Sequence, residues 1–321
     1  MDLTNLLVAN KYFENKDFLK AQPLYKEALE SKAKDILCVL KKYAICLKEN
    51  LLYNEAIEYG KKYLEIVPCD IDVLLNTCIS YGKIGQYDQA LGYYKRILRI
   101  NNKYTFQIGY YAYLLGKTGN IVEADENYKK AIENDPQNVW YISHYALFLE
   151  ETNKYHIAKK YYEVALEMEP HNTWIIKRYA ICLTKIGGKI AGYSYYTTLI
   201  EKDSLNWNYY VNYAELAILS EDASLMLNIL NKSKTLNYSS IAKIIFSFYW
   251  CVYFIYLKKQ NELDEEIEKL IAYRADYHGF LHRDLIDLEA YVNSKMDASQ
   301  KNNFQYIREV LRNGVKKNEA D

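Results

Sequence analysis

Residues that interrupt helices are scarce in this sequence, which has 4 prolines and 12 glycines among 321 residues. A fold of many short strands joined by tight turns would use more of both, so the scarcity favours long helices with short connections. Net charge is also lacking, because 41 lysines and arginines balance 41 aspartates and glutamates. Without an overall field to attract a polyanion or an acidic membrane surface, neither nucleic acid nor a membrane is the expected partner.

Cysteine motifs with the spacing of a metal site or a disulfide framework are absent. The six cysteines are scattered, and we expect them to be small buried residues in a reducing compartment. The first residues contain neither a basic segment nor a sustained apolar run, so no secretory signal is visible. If Met1 is the native start, the sequence predicts a cytoplasmic location.

One apolar stretch imitates a membrane span. Residues 241–257 are almost continuously apolar, interrupted mainly by Lys243 and Ser247. The stretch is shorter than the about 20 residues that cross a bilayer core, and it lies in a helical repeat context. We therefore predict a buried core helix rather than a membrane-spanning one.

Tyrosine is abundant, with 35 residues, and many of them belong to a repeat. A small residue recurs at spacings of 35, 34, 34, 34 and 34 residues, at Ala21, Ala56, Ala90, Ala124, Ala158 and Gly192. A second small-residue series keeps the same interval upstream, at Ala9, Ala44, Cys78, Ala112, Ala146, Ala180 and Ala214. A tyrosine follows the first series by four residues, at Tyr25, Tyr94, Tyr128, Tyr162 and Tyr196, with Gly60 in its place once. Three series in register indicate one structural repeat.

Each repeat has the pattern of two amphipathic helices, because its apolar residues recur at helical spacing. Turn signals such as Gly85 and Gly119 fall between the helices, and Pro68, Pro136 and Pro170 close units. Small residues allow two helix backbones to cross closely, and the recurring tyrosine fills the adjoining space.

This pattern resembles the tetratricopeptide repeat (TPR) family, most fully between Val139 and Pro170, where Trp140, Tyr145, Ala146, Leu149, Tyr155, Ala158, Tyr162 and Ala165 carry it. The resemblance implies an all-α fold, a right-handed alpha-alpha superhelix (TPR solenoid). About seven helix pairs are expected in residues 2–236, a divergent helix pair and capping helices in 237–313, and a frayed tail in 314–321. Pro23 is predicted to delay or kink its helix. Met226, which replaces the small residue, is predicted to separate the seventh pair.

In this family the first helix of each pair lines a concave groove, and the resemblance lets us project the groove positions onto this chain. From the fourth to the sixth pair they hold Phe106, Tyr110, Tyr113, Trp140, His144, Trp174, Lys177 and Arg178. Rings beside cations suit an extended peptide that carries apolar anchors and at least one acidic group. The same aromatic residues could equally pack neighbouring units together.

Family members that bind the tails of the chaperones Hsp70 and Hsp90 use a clamp of lysine, asparagine, asparagine, lysine and arginine. The matching positions in the second to fourth pairs are Lys41, Ile45, Asn76, Phe106 and Tyr110, and those in the first three pairs are Leu6, Asn10, Lys42, Asp72 and Asn76. The later cations of the clamp are missing, so chaperone-tail binding is not expected.

Catalytic motifs are also missing, including the glycine-rich nucleotide loops and the G-x-S-x-G nucleophile motif. His278 and His282 lie four residues apart, but no third metal ligand follows at a recognisable spacing. We therefore predict no enzyme activity, no metal and no cofactor. The favoured function is a non-catalytic scaffold that binds another protein or an extended peptide. A peptide-responsive sensor that changes its superhelical shape is the alternative, and an enzyme in residues 238–321 is the third hypothesis.

Overall fold

A computed structural model describes residues 3–31, 35–101, 108–234, 239–277, 281 and 283–314. These residues form helices and no strand. The contacts divide the chain into two compact units, residues 1–148 and 149–321. The helices that begin in the first unit are α1 (Leu3–Glu14), α2 (Phe18–Glu30), α3 (Ile36–Glu49), α4 (Tyr53–Ile66), α5 (Ile71–Lys83), α6 (Tyr87–Ile100), α7 (Ile108–Lys117), α8 (Ile121–Asn134) and α9 (Val139–Glu151).

The second unit continues with α10 (Tyr155–Met168), α11 (Thr173–Gly187), α12 (Lys189–Lys202), α13 (Trp207–Leu219), α14 (Ala223–Ser233), α15 (Ser240–Leu257), α16 (Gln260–Ala275), α17 (Ile286–Lys295) and α18 (Ala298–Asn313). Helices that are consecutive in sequence pack together, from α1 to α8 in the first unit and from α10 to α16 in the second. The first helices of neighbouring pairs also touch, as α3 touches α5 and α11 touches α13. Within each unit, helix pairs therefore stack in sequence order.

The repeated residues are buried where the two helices of a pair pack together. In both small-residue series every alanine is fully buried, and the repeated tyrosines are at most 1% exposed. Two of these tyrosines tie the second helix of a pair to the first, because Tyr25 donates to Asn10 Oδ1 at 2.8 Å and Tyr162 donates to Glu150 Oε2 at 2.8 Å. In these two pairs the tyrosine joins the two helices by a hydrogen bond and also fills the space between them.

A left-handed residue recurs at the turn inside the pairs. Gly85 and Gly119 have φ of 78° and 81°, and Leu51 adopts φ of 63° at the equivalent turn. Glycine reaches this conformation without steric penalty. The turns predicted at Gly85 and Gly119 are present.

Two local predictions differ from the structure. Helix α2 begins at Phe18, five residues before Pro23, so the start of the helix is not delayed, while the alternative outcome, a kink at Pro23, stays a prediction. The side chain of Asp17 caps this helix by accepting from the Lys20 amide. Leu281, Leu285, Leu288 and Val292 recur at helical spacing in the sequence, which predicts a helix from Leu281. Helix α17 begins only at Ile286, because Asp284, which precedes it, binds Trp174 of α11.

The apolar stretch is α15, whose 18 residues are 67% buried. Helix α15 packs against α13, α14, α16 and α18, and the structure therefore explains its apolar character by packing within the second unit. Its length and composition alone would also suit a membrane span.

The prediction of six buried cysteines is wrong for two of them. Cys46, Cys78, Cys182 and Cys251 are buried, whereas Cys38 and Cys69 are exposed. Burial raises the pKa of Cys46 and of Cys182 to about 12, and it raises the pKa of the other two buried thiols as well.

Candidate protein-binding surfaces

Four of the predicted groove residues meet in the first unit. Tyr110 and Tyr113 project from α7, and Trp140 and His144 project from α9. The imidazole of His144 stacks on the Trp140 indole with ring centroids 3.9 Å apart, and Tyr113 meets both rings edge-on at 6.0 and 6.5 Å. Tyr110 stacks on Tyr113 at 5.8 Å. We call these four residues, with Tyr87 of α6 at 6.0 Å from Tyr113, the aromatic surface.

Two glycines create the space for this surface. A Cβ on Gly82 of α5 would overlap the Tyr110 hydroxyl, and a Cβ on Gly109 of α7 would overlap the ring of Tyr141. Tyr141 in turn meets Trp140 edge-on at 5.9 Å. The rings of Tyr110 and Tyr141 therefore pack directly against helix backbone that carries no side chain. This close packing restricts them more than an exposed ring is restricted.

His144 is held neutral. Its Nδ1 lies 2.9 Å from the Trp140 carbonyl oxygen, which favours the tautomer with the hydrogen on Nδ1. Burial lowers the pKa of His144 to about 3, against the opposing effect of that hydrogen bond, and the charges of Lys83 and Lys117 lower this pKa further. The ammonium of Lys117 also lies 5.6 Å from the centre of the Tyr113 ring. The aromatic surface is thus uncharged, with two cations beside it.

The other three predicted residues lie on α11 in the second unit and already have partners. Trp174 Nε1 donates to Asp284 Oδ2 at 3.0 Å. Lys177 pairs with Glu215 at 2.7 Å and with Asp287 at 3.1 Å. Arg178 pairs with Glu150 at 2.6 Å and with Asp287 at 2.7 Å. Lys177 and Arg178 are only 5% and 8% exposed, so the segment around Asp284 covers these groove positions.

The charges in this network reinforce one another. Desolvation would raise the pKa of Asp287, but Arg178 and Lys177 outweigh it and lower that pKa. Desolvation would lower the pKa of Lys177, yet Glu215, Asp287 and Asp284 raise it. Asp287 and Lys177 therefore both stay charged at neutral pH. A buried ion pair requires this, because a buried charge without a charged partner is strongly destabilising.

Sequence reasoning missed the residues that complete the aromatic surface. Gly82, Tyr87 and Lys117 belong to it or lie beside it, and Gly82 carried the only local signal, as a glycine inside a helical pattern.

Sequence reasoning also missed the residues that cover α11. Asp284 lies 110 positions beyond its partner Trp174, and Asp287 lies 109 positions beyond Arg178, so the 34-residue period relates neither pair. Three further predictions concern residues that the structure does not describe: Phe106 as a groove residue, His278 and His282 as a histidine pair, and the tail beyond Gly314 all fall outside the described ranges.

No protein-family model and no curated protein matches the chain. Among solved structures, a tetratricopeptide repeat protein from Parabacteroides merdae ATCC 43184 is similar with a TM-score of 0.58 at 14% identity, over 77% of this chain and 97% of that chain. A TPR protein of Thermus thermophilus has a TM-score of 0.44 at 20% identity, over 56% of this chain and 97% of its own. Pseudomonas aeruginosa PilF has a TM-score of 0.41 at 13% identity, over 74% and 96% respectively.

The likeness to the Parabacteroides protein concerns the fold, since the two sequences share few residues. It agrees with the helix pairs of each unit and with the small residues and tyrosines buried between their helices. The chain has an all-α, TPR-type fold, as its residue pattern predicted.

Proposed function

We propose that the chain is a non-catalytic scaffold that binds an extended peptide of another protein on the aromatic surface of its first unit. The observation that carries the proposal is the state of Trp140, which is 37% exposed although rings of α7 and α9 surround it. A large ring that is immobilised yet open to solvent offers contact area without a further loss of side-chain entropy on binding.

The surroundings of the aromatic surface define the ligand chemistry. The neutral His144 adds another flat apolar face beside Trp140. Lys83 and Lys117 supply positive charge at its edge, where they can pair with a carboxylate. The expected ligand is therefore an extended peptide with a large apolar or aromatic side chain next to an aspartate or glutamate.

Selection from a random peptide display library on the purified chain tests this proposal. Selected peptides should carry the apolar–acidic pattern, and Trp140→Ala should weaken their binding, measured by fluorescence polarisation, by about 30-fold or more. The control is Tyr306→Ala, which removes a 48% exposed tyrosine from α18 in the second unit. Equal binding to the wild type and Trp140→Ala, with unchanged circular dichroism, would show that the surface is not the binding site.

Small-angle scattering separates the scaffold from the sensor. A scaffold whose helix pairs are already stacked keeps its radius of gyration when the selected peptide is added. A sensor that changes its superhelical shape would change it. The surface described above favours the scaffold, because its rings are packed before any ligand binds.

A further inference from the structure

The segment that leads into α17 occupies the second unit as a bound peptide would. We call Arg283, Asp284, Leu285, Ile286 and Asp287 the latch segment. Its first three residues are not helical, although apolar spacing predicts a helix there. The carbonyl oxygen of Asp284 accepts from Lys177 Nζ at 3.3 Å, and its carboxylate accepts from the Trp174 indole.

The remaining contacts of the latch segment continue along α11, α13 and α15. Both oxygens of Asp287 accept from Arg178 Nη1, at 2.7 and 2.9 Å. Arg283 donates to Asn212 Oδ1 on α13 at 2.7 Å and to Tyr249 Oη on α15 at 2.9 Å. Helices α11, α13 and α15 are the first helices of three consecutive pairs in the second unit. Each of them therefore binds a residue of the latch segment through polar side-chain groups.

Apolar contacts complete the recognition. Leu285 is 2% exposed and packs into the core of the second unit, whereas Ile286 is 69% exposed. The bound pattern is an aspartate, a buried leucine, an exposed residue and a second aspartate. Charged hydrogen bonds flank an apolar anchor, which is the arrangement that gives a short peptide both affinity and register.

The latch segment can leave this network without leaving a buried charge unpaired. Arg178 keeps Glu150 at 2.6 Å, and Lys177 keeps Glu215 at 2.7 Å, when both aspartates are removed. Leaving an unpaired charge buried is what makes the breaking of a buried ion pair so unfavourable. Because each cation retains a carboxylate of the helices themselves, the uncovered site remains electrically balanced.

We propose that α11, α13 and α15 of the second unit form a binding site for an acidic segment of a partner protein. That segment carries two carboxylates three residues apart, with a leucine-like residue between them. The latch segment occupies this site until such a partner replaces it. The site is distinct from the aromatic surface and does not depend on it. The partner competes with the latch segment, which is part of the same chain. The partner's apparent affinity is therefore reduced by the fraction of chains whose latch segment is closed.

Competition with the chain's own sequence tests the proposal. The probe is a fluorescein-labelled peptide of residues 281–292, and the proteins are the full wild-type chain and the double variant Asp284→Asn/Asp287→Asn. The probe should bind the double variant at least about tenfold more tightly than the wild type, because the variant's latch segment is closed less often. A probe with both aspartates replaced by asparagine should not bind either protein. Ile286→Ala, which changes the exposed residue of the segment, is the matched control and should behave as the wild type.

The proposal is overturned if the folded double variant binds the probe no better than the wild type, or if the asparagine probe binds equally well. A measurement on the wild type covers the case in which the double variant does not fold. Hydrogen exchange followed by mass spectrometry should show the amides of residues 283–292 exchanging at least about tenfold faster than those of α13 and α15, since a replaceable segment opens locally. If the amides of residues 283–292, of α13 and of α15 all exchange only by global unfolding, the proposal is overturned.

Discussion

Gly82 on α5 and Tyr110 on α7 touch so closely that a Cβ on the glycine would overlap the tyrosine hydroxyl. Tyr110 stacks on Tyr113 at 5.8 Å and lies 6.3 Å from Trp140. The lack of one methyl group on α5 therefore determines where the rings of two later helices lie.

Gly82→Ala should displace Tyr110 and lower the free energy of unfolding by about 1–3 kcal/mol, the usual effect of overpacking. Urea unfolding measures the loss, and near-UV circular dichroism reports the moved rings. The matched control is Gly92→Ala, since Gly92 is exposed inside α6 with nothing within 4 Å of an added Cβ. That change should raise the free energy of unfolding by about 0.5–1 kcal/mol. Equal stabilities of the two variants would contradict the close approach.

Acidification should destabilise the first unit through His144. The pKa of His144 is lowered by burial from 6.5 to about 3, so between these values the unfolded chain binds a proton that the folded chain does not. Stability from this group is complete above pH 6.5 and is lost as the pH falls. At pH values of about 5 the free energy of unfolding should be lower by about 1–2 kcal/mol than at about pH 7.5.

His144→Phe keeps a ring against Trp140 and should remove this part of the pH dependence. His156→Asn, at an exposed position on α10, controls for the loss of a histidine. Thermal or urea unfolding at both pH values gives the difference. A wild-type pH dependence in His144→Phe would mean that the imidazole takes up its proton without unfolding.

Arg178→Met should be strongly destabilising. It leaves the carboxylates of Glu150 and Asp287 without their guanidinium partner, at side-chain exposures of 7% and 22%. We expect the free energy of unfolding to fall by about 3–5 kcal/mol. Removing one partner of the exposed pair between Lys62 and Glu58 should change it by less than about 1 kcal/mol.

Neutralising the partners as well separates charge from packing in this network. The triple variant Arg178→Met/Glu150→Gln/Asp287→Asn has no carboxylate left at positions 150 and 287. Urea unfolding should therefore show that part of the lost free energy of unfolding is restored. No recovery would indicate that Arg178 acts by filling space.

Met226→Ala restores the small residue of the repeat and should nevertheless destabilise the chain. Met226 is fully buried in the seventh pair, whose helices are packed around it. Removing its side chain should lower the free energy of unfolding by about 2–5 kcal/mol. Ile190→Ala, at a 72% exposed residue, is the control and should change it by less than about 0.5 kcal/mol. A stabilised Met226→Ala variant would mean that the pair closes around alanine.

The repeat made the helix pairs predictable from sequence. Ala124 and Tyr128 have counterparts in most units because each pair meets the same packing problem, and both are buried as expected. Period and amphipathic spacing are local properties, so they define the helices. Even the placement of Tyr110 and Tyr113 near Trp140 and His144 follows from equivalent positions in adjacent units.

The latch segment was not predictable in the same way. Its contacts join Arg178 to Asp287 across 109 positions of the sequence, and no period relates the two. Spacing alone favoured a helix from Leu281, since Leu281, Leu285 and Leu288 recur at helical intervals. Trp174 and Lys177 of α11 instead bind Asp284, and this tertiary interaction outweighs the local preference before Ile286.

The distribution of buried thiols gives this protein internal reporters of unfolding. Cys46 and Cys78 lie in the first unit, and Cys182 and Cys251 lie in the second. A thiolate reacts with alkylating reagents and a protonated, inaccessible thiol does not, so only Cys38 and Cys69 should be labelled in the native chain at neutral pH. Counting labelled sites by mass spectrometry during mild denaturation would then show whether the two halves of the molecule melt together or in succession.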